Sequence, residues 1–130
     1  MIGIDTNILV RFFTQDDRAQ GRKATAFIQS LTASELGYVS LVVLVEMVWV
    51  LRSSYRLSRP QLAAILTRLL DSPEIIVEDD SVVREAVLRF QRSRVEFVDQ
   101  LIERCSHAAG CTATVTFDVD ASRATGMRLL

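Results

Sequence analysis

The 130-residue chain predicts an α/β fold, a three-layer sandwich around a mostly parallel central sheet of four to five strands. Three observations lead there. Short runs rich in β-formers alternate with longer segments of helical periodicity. The alternation continues from end to end without a linker, an internal repeat or a low-complexity stretch. An apolar content of 49% in 130 residues is enough to fill one core, so a single domain over residues 1–130 is expected.

The opening run, residues 1–5, reads as a buried strand, and Thr6 and Asn7 offer a cap for a helix over residues 8–13. Asp16 and Asp17 are cap candidates for a second helix reaching Leu31. Residues 37–40 read as a strand, and Ser40 caps a strongly apolar helix over residues 41–55. Ser58, Pro60 and Gln61 form a capping-box start for the next helix, with Leu62, Ile65, Leu66 and Leu69 as its apolar stripe. Residues 74–78 read as a third strand. A helix follows over residues 79–92, with Val83, Ala86, Val87 and Phe90 on one face. Another is expected over residues 97–109, with Val98, Leu101, Ile102, Cys105 and Ala109 inward and Gly110 as its stop. Residues 112–117 alternate β-formers and read as a strand, and residues 127–130 as a short last one.

The net charge of −1 and a pI near 5.8 exclude a broad polyanion binder. Lys23 is the only lysine and the other fourteen cations are arginines, a choice consistent both with bidentate phosphate contacts and with a coding bias. A mean hydropathy of +0.24 fits either a dense core or an apolar surface kept for another subunit. Cys105 and Cys111 match no disulfide framework and no zinc spacing with His107, as in a reducing cytosol. The longest apolar run, residues 41–51, is broken by Glu46 and is too short to span a bilayer. A cytoplasmic protein with no membrane partner is expected.

The acidic residues carry the chemistry. In a parallel α/β sheet, ligands bind beyond the carboxyl ends of the strands. Asp5 and Asp118 each follow a predicted strand and are expected at that rim of one sheet. Glu46 lies on a helix whose residues three and four away are Val42, Val43, Trp49 and Val50. A carboxylate so surrounded is costly unless it is paired, binds a cation or reaches solvent at a rim. Asp99 lies near a helix start, a place that suits an acid on dipole grounds alone. Like charges gathered together raise each other's proton affinity, and a divalent cation relieves the conflict. All-oxygen ligation selects a hard ion, Mg²⁺ or Mn²⁺, over Zn²⁺.

The run Met1-Ile-Gly-Ile-Asp-Thr-Asn7 with Ile8-Leu9, Ser40 followed by Glu46, Phe97-Val-Asp99 with Leu101-Ile102, and Thr116-Phe-Asp118 together resemble the PIN-domain nucleases. The small size and the tail from Gly110 to Asp118 resemble the VapC-type toxins of bacterial toxin–antitoxin pairs. The resemblance spans essentially the whole chain. It implies a Mg²⁺- or Mn²⁺-dependent endoribonuclease, a homodimer, an RNA substrate and a cognate antitoxin. It assigns Asp5, Glu46, Asp99 and Asp118 to the catalytic set, with Asp5, Asp99 and Asp118 holding metal. Asn7 and Thr116 become supporting groups and Asp120 a supporting acid. Gln100 and Glu103 depart from the small residues usual after the third acid, and Glu103 is expected to face solvent.

The expected reaction is hydrolysis of an RNA phosphodiester by metal-activated water, with Glu46 holding a second ion or orienting the water. Arg11, near the Asp5 loop, and Arg89, Arg92 and Arg94 are the candidate substrate contacts. Arg89 also stands four residues after Glu85, the spacing of a helix-surface ion pair. A phospho-accepting receiver domain would need an acidic pair after the first strand and a late lysine, and neither exists here. A haloacid-type phosphatase would need an acid at Asn7. A PIN nuclease of RNA processing, or an inactive PIN scaffold that binds a protein, remains the alternative.

Overall fold

Parallel pairing requires a crossover between neighbouring strands, and the first 78 residues supply a helix pair each time. The structure, a computed structural model, describes all residues, 1–130. It divides into two units, Met1–Glu78 and Asp79–Leu130. In the first, β1 (Ile2–Gly3) leads to α1 (Thr6–Thr14) and α2 (Arg18–Ser30). Next, β2 (Gly37–Val39) leads to α3 (Leu41–Ser53) and α4 (Arg59–Leu70), and β3 (Ile75–Val77) closes the set. The strand order is β1-β2-β3, all parallel, with Ile2 opposite Gly37 and Tyr38 opposite Ile76. The Ile4 amide donates to the Tyr38 carbonyl and the Glu78 amide to that of Val39, both at 2.9 Å. The residues that follow the strands, Asp5, Ser40 and Glu78, therefore share the carboxyl edge of this sheet.

Local chemistry sets the helix starts. Asp17 Oδ1 accepts from the Gln20 amide at 2.8 Å at the start of α2. At α4 the Gln61 amide donates to Ser58 Oγ at 3.2 Å, and the Ser58 amide donates back to Gln61 Oε1 at 2.9 Å. Leu9, Val39, Leu44, Met47, Leu51, Leu62 and Leu66 are wholly buried. At Gly37 a Cβ would come within 2.7 Å of Ile4 Cδ1 and 2.9 Å of Leu31 Cδ1. These side chains pack directly over the backbone of the middle strand, which only glycine permits.

The second unit holds α5 (Asp80–Gln91), α6 (Phe97–Ala108), β4 (Val115–Thr116), α7 (Val119–Thr125) and β5 (Arg128–Leu129). Its two strands are parallel, with Val115 opposite Arg128. Helices α5 and α6 pack together, and the Phe90 and Phe97 rings meet edge to face with centroids 6.2 Å apart. As expected, Val83, Ala86, Val87 and Phe90 are the buried face of α5.

The α/β class and the parallel pairing agree with the sequence reading, and five features differ in detail. The opening strand β1, expected to be buried, is exposed at Ile2 and Gly3, since it pairs only with β2 at the edge of its sheet. Asp5, not Thr6 or Asn7, caps α1, because its Oδ1 accepts from the Thr6 amide at 2.7 Å. β4 pairs with β5, so Asp118 follows a strand of this two-stranded set rather than of the sheet that ends at Asp5. Helix α7 is an added element, started by Asp118 and stopped by Gly126 at φ 86°. The buried face of α6 is Phe97, Gln100, Leu101 and Arg104, while Ile102 is exposed, Cys105 half-buried and Ala109 exposed. The helix turns its polar residues inward because each finds a partner there. Gln100 Nε2 donates to Ser93 Oγ and to the Ala124 carbonyl, both at 3.2 Å. Arg104 binds Glu103 and Glu85.

The α4 capping box gives a direct check. Ser58→Ala removes one side-chain acceptor from the first turn and should lower the unfolding free energy by about 1 kcal/mol, read from urea denaturation. A change of only a few tenths would show that the box adds little to packing.

Candidate active site

The first unit positions two of the four expected acids. Asp5 lies between β1 and α1, and capping fixes its carboxylate at the carboxyl edge of the sheet while leaving the group exposed. Glu46 lies in the second turn of α3. That helix starts at the same edge, where Ser40 Oγ accepts from the Val43 amide at 3.3 Å and Glu78 Oε2 accepts from the Leu41 amide at 2.7 Å. Glu78 therefore anchors the helix that carries Glu46. The strand-end rule that selects Asp5 selects Glu78 as well, and the sequence reading missed it.

Glu46 is not embedded among valines. Leu44, Met47, Val48 and Leu51 form the buried stripe of α3, whereas Val42 is 76% and Trp49 65% exposed on the side of Glu46. Apolar neighbours along a helix create a low-dielectric site only when they are covered, and here Glu46 is itself exposed. The cost argument for Glu46 thus fails on the geometry of the helix, and its assignment rests on the family pattern.

The second unit brings Asp99 and Asp118 together. Asp99 is half-buried in the first turn of α6. Asp118 caps α7, with Oδ1 accepting from the Ala121 amide at 2.9 Å, and its own amide donates to Thr116 Oγ1 at 3.0 Å. Thr116 thus supports Asp118 through the backbone. Burial raises the proton affinity of Asp99, and the charges of Asp118 and then Glu96 raise it further. All three causes oppose ionisation, and no cation offsets them. Asp120 is exposed in the first turn of α7, and Asn7 is exposed at the start of α1.

The arginines divide by engagement. Arg11 donates to Asp16 Oδ1 at 2.9 Å, to Gln20 at 2.8 Å and to Tyr55 at 3.1 Å. The Tyr55 hydroxyl bond, with Thr14 and Arg11, holds the Asp16 carboxyl down to about 2. Arg11 therefore ties α1 to α2 and to the segment after α3 instead of standing free beside Asp5. Arg89 binds Glu85 at 3.3 Å, one turn away. Glu103 does not face open solvent. It is clamped by Arg104, whose guanidinium holds its proton affinity below the ordinary range. Arg92 and Arg94 are exposed.

In neither unit do three or more His, Cys, Asp or Glu side chains gather as a metal set. The donor chemistry nevertheless fits a hard ion. Such an ion keeps most of its waters and takes only one or two carboxylates from a protein before it meets a phosphate, which is what the Asp99–Asp118 pair offers.

The chain belongs to the PIN domain family, whose model matches residues 2–127. Among solved structures it is similar to the Mycobacterium tuberculosis toxin VapC20, which is described as cleaving the sarcin–ricin loop. The match has 21% identity over 95% of each chain and a TM-score of 0.48. No curated relative matches the sequence.

The like-charge contact can be read directly. Asp118→Asn should move the Asp99 carboxyl part of the way back toward the usual aspartate range, measured by carbon NMR of labelled protein. Only part is recovered because burial, the largest cause, persists. An unchanged Asp99 titration would show that the two carboxylates do not interact.

Proposed function

We propose that this PIN domain, spanning both units, is a metal-dependent endoribonuclease of the VapC type, the toxin of a toxin–antitoxin pair. The observation that carries the reading is the PIN-domain match over residues 2–127, supported by half-buried Asp99, whose ionisation burial and then the charge of Asp118 oppose. Such a pair of carboxylates is destabilising in isolation and becomes favourable when a divalent cation joins it. In this reading Asp5, Asp99 and Asp118 hold Mg²⁺ or Mn²⁺, and Glu46 completes the catalytic set.

When bound, the ion supplies a water of lowered pKa and charge neutralisation at the scissile phosphate. The chain's own residues do the rest. The capping bonds of Asp5 and Asp118 fix one oxygen of each carboxylate and leave the other for a ligand. Glu46 accepts the proton of the attacking water. In the net reaction a water oxygen–phosphorus bond forms, a phosphorus–ribose oxygen bond breaks, and the leaving oxygen takes a proton. Asn7, Thr116 and Asp120 support the carboxylates, Arg92 and Arg94 are the free cations proposed to meet substrate phosphates, and Arg11 and Arg89 contribute less because they are already paired.

The partners proposed are an RNA substrate, a cognate antitoxin and a second copy of the chain. The exposed Val42 and Trp49 on α3 support self-association. Cys105 and Cys111 form no disulfide, which fits a reducing cytoplasm, and no helix is long and apolar enough to cross a membrane.

Asn caps a helix as well as Asp does, so Asp5→Asn and Asp118→Asn should keep the fold while removing a ligand charge. Each should lower Mg²⁺-dependent cleavage of a fluorogenic single-stranded RNA by at least about 100-fold with unchanged circular dichroism. Cleavage at the wild-type rate by either folded variant would refute the site.

A further inference from the structure

We infer that Gln100 is the positioning residue of the acid pair, setting where Asp118 stands relative to Asp99; this rests on the metal-site reading above. Gln100 is adjacent to Asp99 on α6 and is 0% exposed. Its Nε2 reaches across to the Ala124 carbonyl, at the last turn of α7, and to Ser93 Oγ in the segment between α5 and α6. Asp118 caps the other end of α7, about 9 Å away along the helix axis. One side chain thus fixes the far end of the short helix whose near end carries the second carboxylate.

Two features argue that the amide is kept for this contact rather than for packing. At a wholly buried position, Leu or Met would fill the space without burying polar atoms. Gln100 is present instead although its Oε1 is buried and unpartnered. The unfavourable acceptor is retained together with two donated bonds, both of which tie α7 and the α5–α6 segment to the residue beside Asp99. Helix α7 also needs the restraint. It spans only Val119–Thr125 and otherwise rests on its caps, on buried Ala121 and Thr125 and on packing against α6, β4 and β5, so the Gln100 bond is the side-chain hydrogen bond that ties its last turn to α6. Repulsion between Asp99 and Asp118 pushes α7 away from α6, and the Gln100 bond opposes that displacement.

Gln100→Met keeps the volume and removes the donor. In the full-length protein, Mn²⁺ affinity measured by titration calorimetry should fall about 10-fold. The kcat for RNA cleavage should fall by a similar factor with KM within about twofold, since no RNA-binding group is touched. Ser58→Ala, which weakens the other unit's α4 cap, serves as the control for lost stability. If it lowers Mn²⁺ affinity as much as Gln100→Met does, the effect is general softening and the inference is overturned. Equal Mn²⁺ affinities in the wild type and Gln100→Met overturn the inference and leave the nuclease reading intact. Mn²⁺ binding that depends on Gln100, without RNA cleavage by the wild type, supports the inference and overturns the nuclease reading. A wild type that binds no Mn²⁺ overturns both.

Discussion

The hydrogen bond that satisfies the first turn of a helix is the interaction from which this architecture follows. A helix begins with amide groups that its own turns cannot satisfy, and in this chain strands run almost directly into helices. At three of the four strand–helix junctions the residue there caps, whereas Asp79, between β3 and α5, makes no side-chain cap. The caps are Asp5 between β1 and α1, Ser40 between β2 and α3 and Asp118 between β4 and α7. Each cap is a polar group at the carboxyl end of a parallel strand, the place where an α/β protein binds ligands. When the cap is an aspartate, one oxygen is fixed by the backbone and the other is free to act. Glu78 extends the principle by capping α3 from a neighbouring strand.

Electrostatics then separates the charges that are paired from those that are not. On α5 and α6 of the second unit, Arg89 and Arg104 pair with Glu85 and Glu103. Asp99 and Asp118 take no part in that network. Their charges remain uncompensated although Arg104 lies on the same helix as Asp99. A protein that only needed stability would pair them or replace them. Leaving them bare makes sense when the missing positive charge arrives with a ligand. The neutral amide of Gln100 suits this arrangement, because it restrains the pair without discharging it.

Periodicity and capping chemistry made most of the fold legible. The Ser58–Gln61 box, the Asp17 and Ser40 caps and the α5 face are local features, set by residues within a turn or two. Other features depend on partners distant in sequence. The pattern 98, 101, 102, 105, 109 on α6 is a valid apolar stripe, yet the helix buries Gln100 and Arg104 because Ala124 and Glu85 wait for them. Strand pairing was invisible for the same reason, since nothing within residues 112–117 says that β4 joins β5. At the proposed site, Asp5 and Asp118 do follow strands as expected, but strands of two different sheets, and Asp99 rests on family resemblance. Glu46 was selected on a premise the structure does not support, because helical neighbours do not reveal which of them is covered.

The central claim is that the Asp99–Asp118 pair of the second unit takes up a divalent cation. Anomalous diffraction from crystals soaked in Mn²⁺ tests it most directly. The account predicts a manganese peak within about 2.2 Å of a carboxylate oxygen from the Asp99–Asp118 pair. A peak elsewhere on the molecule, or bare carboxylates in a crystal saturated with Mn²⁺, would contradict it.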